Sequence, residues 1–133
     1  MIDRMQELLT AERAGVKCLL AMASGTTQGE MKDFLMRLCY DEGRFCAGLC
    51  RLIEARGGAP GQKIGAFAEK VLALGGDVER LALLVKGQGW VVRKIDEIPK
   101  SEMNGEEEAF FSDMRKTHVI NIEECRNYLS PAP

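Results

Sequence analysis

The sequence has little of what several common function classes require. Among 133 residues it has one histidine, one tryptophan and a net charge of only −2. Nucleic-acid binding needs a concentrated positive charge, so we expect no nucleic-acid partner. The longest apolar stretch, residues 8–23, is interrupted by Glu12, Arg13 and Lys17, which predicts no membrane-spanning helix. Charged residues precede any apolar block at the N-terminus, so we predict no signal peptide and expect a cytoplasmic protein.

Motifs for nucleotide binding and covalent catalysis are also missing, since the sequence has no phosphate-binding loop, G-x-G-x-x-G fingerprint or nucleophile elbow. The cysteines are odd in number and form no C-x-x-C pair: Cys18, Cys39, Cys46, Cys50 and Cys125. In a reducing compartment this favours free thiols over disulfides. We interpret them as small hydrophobic residues of a core or an interface. The alternative, a redox site, would require an exposed thiol of lowered pKa.

What the sequence does contain is apolar residues at three- and four-residue spacing, which is typical of buried helix faces. This spacing predicts four long helices, over residues 2–23, 27–56, 78–98 and 104–129. A short helix is predicted within the long connection 57–76, and no stretch has a strand pattern. We therefore predict an all-α fold, a four-helix bundle that forms a single domain over residues 1–133.

Capping residues indicate where three of the long helices begin. Thr27 and Glu30 have the spacing of a capping box, and Asp77 and Asn104 are predicted N-caps. The short connection between the first two helices predicts an antiparallel pair. The segment 57–76 is long enough to run the length of a bundle, so we expect it to be a crossover after which the third helix runs parallel to the second.

Ionisable residues occupy positions on these helices that otherwise hold apolar residues. Glu12 lies in the apolar stripe of the first helix, and Glu42 lies in that of the second. On the fourth helix the stripe that contains Phe111 also contains Arg115 and His118. A buried carboxylate is costly unless another group pairs with it. We therefore expect these four ionisable residues to form a buried polar cluster.

This pattern resembles the ferritin-like superfamily, and bacterioferritin and rubrerythrin within it, over essentially the whole chain. Glu12 stands at the family's helix-one glutamate, and Glu42 begins its helix-two Glu-x-x-His motif. Three other ligand positions are changed, because the chain has Phe45, Leu84 and Arg115 there. The resemblance implies a ferritin-like antiparallel bundle with one long crossover and a degenerate di-iron site.

The ligands that remain by this comparison are Glu12, Glu42 and His118. The guanidinium of Arg115 can donate hydrogen bonds to both carboxylates, and we expect it to neutralise them without a metal. The resemblance then implies a structural, binding or stress-associated module that has lost ferroxidase chemistry, with no catalytic residue and no cofactor.

The alternative is a small metal-dependent oxidoreductase in which Glu12, Glu42 and His118 hold one iron, manganese or zinc ion. Haem is not expected, because Gly43 stands where bacterioferritins carry their haem methionine. The resemblance also implies a homodimer formed through the first two helices. Candidate interface residues are Cys46, Cys50 and Trp90.

Overall fold

A computed structural model describes residues 1–26 and 29–130, and all regular structure within these ranges is helical. The helices are α1 (Ile2–Gly25), α2 (Glu30–Ala55), α3 (Phe67–Leu72), α4 (Asp77–Asp96) and α5 (Gly105–Leu129), with a 3₁₀ turn at Lys100–Glu102. The predicted all-α class, the four long helices and the short helix in the connection are confirmed. None of the described helices is both long and apolar enough to cross a membrane.

The chain forms two compact units, of which the first ends at Ala73 and the second begins at Leu74. The first contains α1, α2 and α3, and the second contains α4 and α5. One domain over residues 1–133 stays a prediction.

The first unit is built on the antiparallel pair α1 and α2. The Sγ atom of Cys39 lies 3.8 Å from the carbonyl oxygen of Val16, and Gly58, just after α2, lies beside Ile2. The predicted stripe of α1 is buried throughout: Met5, Leu8, Glu12, Gly15, Leu19 and Met22. The same is true of the predicted stripe of α2, which comprises Leu35, Leu38, Glu42, Phe45, Leu49 and Leu52.

Residues 57–66, which we call the α1 strap, follow α1 in its own direction. Gln6 donates to the carbonyl oxygen of Ala59 at 2.7 Å and accepts from the amide of Gly61 at 2.8 Å. Further along the helix, the amide of Gly65 donates to the carbonyl oxygen of Thr10 at 3.3 Å. Hydrogen bonds to one helix therefore fix the path of a segment that has no regular structure of its own.

The second unit pairs α4 with α5. The buried residues of α4 are those of its predicted stripe, Leu81, Leu84, Gln88, Val91 and Ile95. On α5 the buried residues are Glu107, Phe111, Met114, His118, Asn121, Ile122 and Cys125. The predicted stripe of α5 is thus confirmed at Phe111, His118, Ile122 and Cys125. Its last residue, Leu129, is only half-buried, and Arg115 is described below.

The predicted helix starts have three different outcomes. Asn104 is the N-cap of α5 and forms a capping box with Glu107, with bonds of 2.8 and 2.9 Å, as predicted. The prediction for Asp77 is wrong, because Gly76 is the N-cap and Asp77 is the first helical residue. An aspartate in the first turn still complements the helix dipole, so it favours a helix that begins one residue earlier. Thr27 lies outside the described residues.

The capping box predicts a measurable contribution to stability. Asn104→Ala removes the acceptor for the amide of Glu107, so the free energy of unfolding should fall by about 1 kcal/mol. Denaturant unfolding followed by circular dichroism measures it, with Asn127→Ala, exposed near the end of α5, as the control. An equal change in both variants would contradict the role of the cap.

Candidate functional site

Two buried carboxylates lie close together in the first unit. Glu12 is 1% exposed and Glu42 is 5% exposed. A carboxylate oxygen of Glu12 lies within 4.8 Å of one of Glu42. When both side chains are ionised, two charges 4.8 Å apart repel by about 3.5 kcal/mol at an effective dielectric constant of about 20. The arrangement therefore favours a positive charge shared by both side chains.

The two helices place these side chains opposite each other for a simple reason. Glu12 lies near the middle of the buried stripe of α1, and Glu42 lies near the middle of that of α2. Because antiparallel helices bring their midpoints together, the two acids meet. Gly15, one turn after Glu12, faces the same carboxylate: a Cβ atom built on Gly15 would lie 2.9 Å from Oε1 of Glu42.

Cys46 lies one turn beyond Glu42 on α2, and the pKa of its thiol depends in part on this acid. Burial raises the pKa of Cys46 to about 12, and the charge of Glu42 adds to the increase while Arg13 opposes it. Burial also raises the pKa of the Cys39 thiol. A protonated thiol is a poor nucleophile and a poor metal ligand. These pKa shifts favour the interpretation of both cysteines as small hydrophobic residues.

His118 is buried in the second unit, with 1% of its surface exposed. Its Nδ1 atom lies 2.8 Å from the carbonyl oxygen of Met114, one turn earlier on α5. A carbonyl oxygen only accepts, so Nδ1 is the donor and the neutral ring carries its lone pair on Nε2. A histidine that ligates a metal through Nε2 is commonly oriented in this way.

The predicted inward position of Arg115 is wrong. The side chain is 47% exposed, and its Nε and Nη2 atoms donate to the two carboxylate oxygens of Asp96 at 2.6 and 3.1 Å. Met114 takes the buried position instead, with 0% exposure. Arg115 and Met114, three and four residues before His118, both border the buried stripe of α5. Burying a methionine is favourable, whereas burying a guanidinium is costly. The guanidinium therefore pairs α5 with α4 on the surface.

Of the predicted cluster, the structure brings Glu12 and Glu42 together within one unit and buries His118 in the other, while Arg115 is on the surface. The positions where the resemblance implied lost ligands, Phe45 and Leu84, are buried and apolar. Sequence analysis missed the buried Asn121, 3% exposed and three residues after His118. In the sequence, only its spacing of three residues from His118 indicates that Asn121 lies on the same face of the helix.

Fold and site together define an all-helical protein with a buried carboxylate pair between its first two helices. The chain belongs to the family described as domain of unknown function DUF6306, whose model matches residues 1–127. Searches of the curated proteins and of the solved structures returned no match.

The surface position of Arg115 predicts a pH effect. Its hydrogen bonds lower the pKa of Asp96. The pair should therefore stabilise the fold above the unfolded-state pKa of about 3.9 and lose this effect as the pH falls through the lower folded-state value. In Arg115→Gln, nuclear magnetic resonance titration of the Asp96 carboxyl carbon should show a higher pKa. In Lys116→Gln, the neighbouring exposed control, it should not change, and an unchanged pKa in both would contradict the pairing.

The raised pKa of Cys46 predicts slow alkylation. At pH 8 the folded protein should react with iodoacetamide at Cys46 about 100- to 1000-fold more slowly than the protein in denaturant, because the thiolate is the nucleophile. Peptide mass spectrometry measures the rate. Glu42→Gln should increase it, since Glu42 raises this pKa. Equal rates in the folded and unfolded states would contradict the burial of the thiol.

Proposed function

We propose that this protein binds one divalent ion, iron, manganese or zinc, through Glu12 and Glu42, with His118 as the third ligand. The observation that carries the proposal is the approach of two buried carboxylates to within 4.8 Å of each other. A divalent cation offsets both charges at once, and carboxylate oxygens and imidazole nitrogen are ligands for all three metals.

Two features support the fit of an ion to the carboxylate pair. Both acids project from long helices, so their positions are fixed by the scaffold and not by a loop. The carboxylate of Glu42 also lies where the missing side chain of Gly15 leaves room for it. When bound, such an ion would supply Lewis acidity or, if it is iron or manganese, redox chemistry.

The assignment of His118 as the third ligand comes from the sequence pattern, in which it stands at a histidine position of the ferritin-like motif. The hydrogen bond from Nδ1 to the carbonyl oxygen of Met114 supports it, because metal-binding histidines are commonly oriented by such a bond from the other ring nitrogen. Two glutamates and one histidine also supply three ligands, the number that protein side chains contribute to many catalytic zinc sites.

The position of Arg115 argues against the metal-free interpretation of the sequence. In that interpretation its guanidinium neutralised both buried acids, whereas in the structure it pairs with Asp96 on the surface. Phe45 and Leu84 argue against a second ion. Both are apolar and offer no ligand atom, although the resemblance expects a metal ligand at each of these two positions. The proposal is therefore a ferritin-like protein with a single-ion site.

The ferritin-like topology and the homodimer also belong to this proposal. The α1 strap supports the long crossover, because it runs along α1 in the direction of that helix. Large apolar side chains on the outside of the first two helices support pairing through them. These are Leu20, Met36 and Tyr40, which are 49%, 42% and 71% exposed.

Titration of metal-free protein tests the proposed site. Calorimetry with Mn(II), Zn(II) and, without oxygen, Fe(II) should show one ion per chain. Glu12→Gln and Glu42→Gln should each weaken binding by more than about 10-fold, because each removes a ligand and a negative charge. Glu108→Gln, an exposed acid on α5, is the matched control and should bind as the wild type does.

The outcomes separate the parts of the proposal. No binding by the wild type, or equal binding by Glu42→Gln and Glu108→Gln, would overturn the ion site. Weaker binding by His118→Gln would support the third ligand. Unchanged binding by that variant would leave the carboxylates as ligands and show that the assignment of His118 is wrong.

A further inference from the structure

We infer that Gly15 is a positioning residue for the ion site, because its bare backbone lets the carboxylate of Glu42 lie against α1 beside Glu12. This inference rests on the proposed function and deepens it. It concerns a residue that contributes no ligand atom. Its role is to set where one of the ligands lies.

The geometry begins with the spacing on α1. Gly15 is three residues after Glu12, so both lie on the same buried face of the helix. Glu42 reaches this face from α2: a Cβ atom on Gly15 would lie 2.9 Å from its Oε1 atom and 3.1 Å from its Cδ atom. Both distances are shorter than normal contacts between such atoms. Any side chain at position 15 would therefore compete with the carboxylate for the same space.

The response to a side chain at this position follows from which atoms it would meet. The three nearest atoms are Oε1, Cδ and Cγ of Glu42, all in the outer part of one flexible side chain. Rotation of that side chain relieves the contact more easily than separation of the two helices does. A methyl group on Gly15 should therefore move the carboxylate and leave the helix pair intact.

Stability and ion affinity should then change in opposite directions. Glycine in the middle of a helix is less favourable than alanine, so Gly15→Ala gains helix propensity. The displaced carboxylate, in contrast, should weaken ion binding. A glycine that served only to pack the helices closely would give a different result, with stability lost as well.

The α2 helix offers a matched control for the substitution. Gly43, the residue after Glu42, has no atom within 4 Å of the position where its Cβ would lie. Gly43→Ala therefore makes the same chemical change in an open position, one residue from the ligand. It should gain helix propensity without moving the carboxylate.

The first experiment compares Mn(II) and Zn(II) affinity in the wild type, Gly15→Ala and Gly43→Ala by calorimetry, together with thermal unfolding of the metal-free proteins. Gly15→Ala should bind about 10- to 100-fold more weakly, the usual cost of disturbing a group that orients a ligand. Its metal-free form should unfold at the wild-type temperature or above. Gly43→Ala should retain the wild-type affinity.

A double-variant cycle tests whether Gly15 acts through Glu42. Glu42→Asp shortens the side chain and withdraws its carboxylate from α1, so a methyl group at position 15 no longer meets it. Gly15→Ala should therefore cost less affinity in the Glu42→Asp background than in the wild type. Equal losses in both backgrounds would overturn the inference.

The remaining outcomes distinguish this inference from the proposed function. If the wild type binds no ion, the proposed function fails and this inference fails with it. If the wild type binds and Gly15→Ala retains its affinity, only the inference is overturned. If Gly15→Ala does not fold but the double variant does, the clash with Glu42 is supported. If neither folds, the methyl group meets something other than this carboxylate, which contradicts the inference.

Discussion

The burial of the carboxylates of Glu12 and Glu42 close to each other is the constraint on which the first unit depends. Both carboxylates are buried between two long helices, where neither can be hydrated as it would be on the surface. Apolar packing on both sides of them along α1, from residues such as Leu8 and Leu19, holds the helices together at this place. The apolar stripes therefore do more than stabilise the pair of helices. They hold two buried carboxylates close together, and an arrangement of this kind is suited to a cation.

Helix positions and buried faces could be predicted from the sequence because they depend on spacing along one helix. The stripes of α1, α2 and α4 are examples, and Glu12 and Glu42 were found because each interrupts such a stripe. Arg115 shows the limit of this reasoning. It and Met114 both lie at the edge of the stripe on α5, and spacing cannot choose between them. Asp96, the partner on α4 that holds Arg115 at the surface, is nineteen residues away in the chain.

The role proposed for Gly15 could not be predicted from the sequence for a related reason. A glycine within a helical pattern indicates only that some group comes close. Which group it is depends on the facing helix, and here it is the far end of Glu42. Gly43 lies outside the predicted stripe of α2, and its surroundings are open. The stripe of α1 thus predicts that Gly15 is buried, but it does not predict that the neighbouring group is the carboxylate of Glu42.

The pairing of α1 with α2 has a consequence for how the acidic pair assembles. These helices are consecutive, so bringing Glu12 to Glu42 requires closure of one short loop, at little cost in chain entropy. Contacts between neighbours in sequence also form quickly during folding. Both acids belong to the first 42 residues of the chain, so they are synthesised before α4 and α5. The nascent chain thus carries both carboxylate ligands of the proposed site before it carries the histidine.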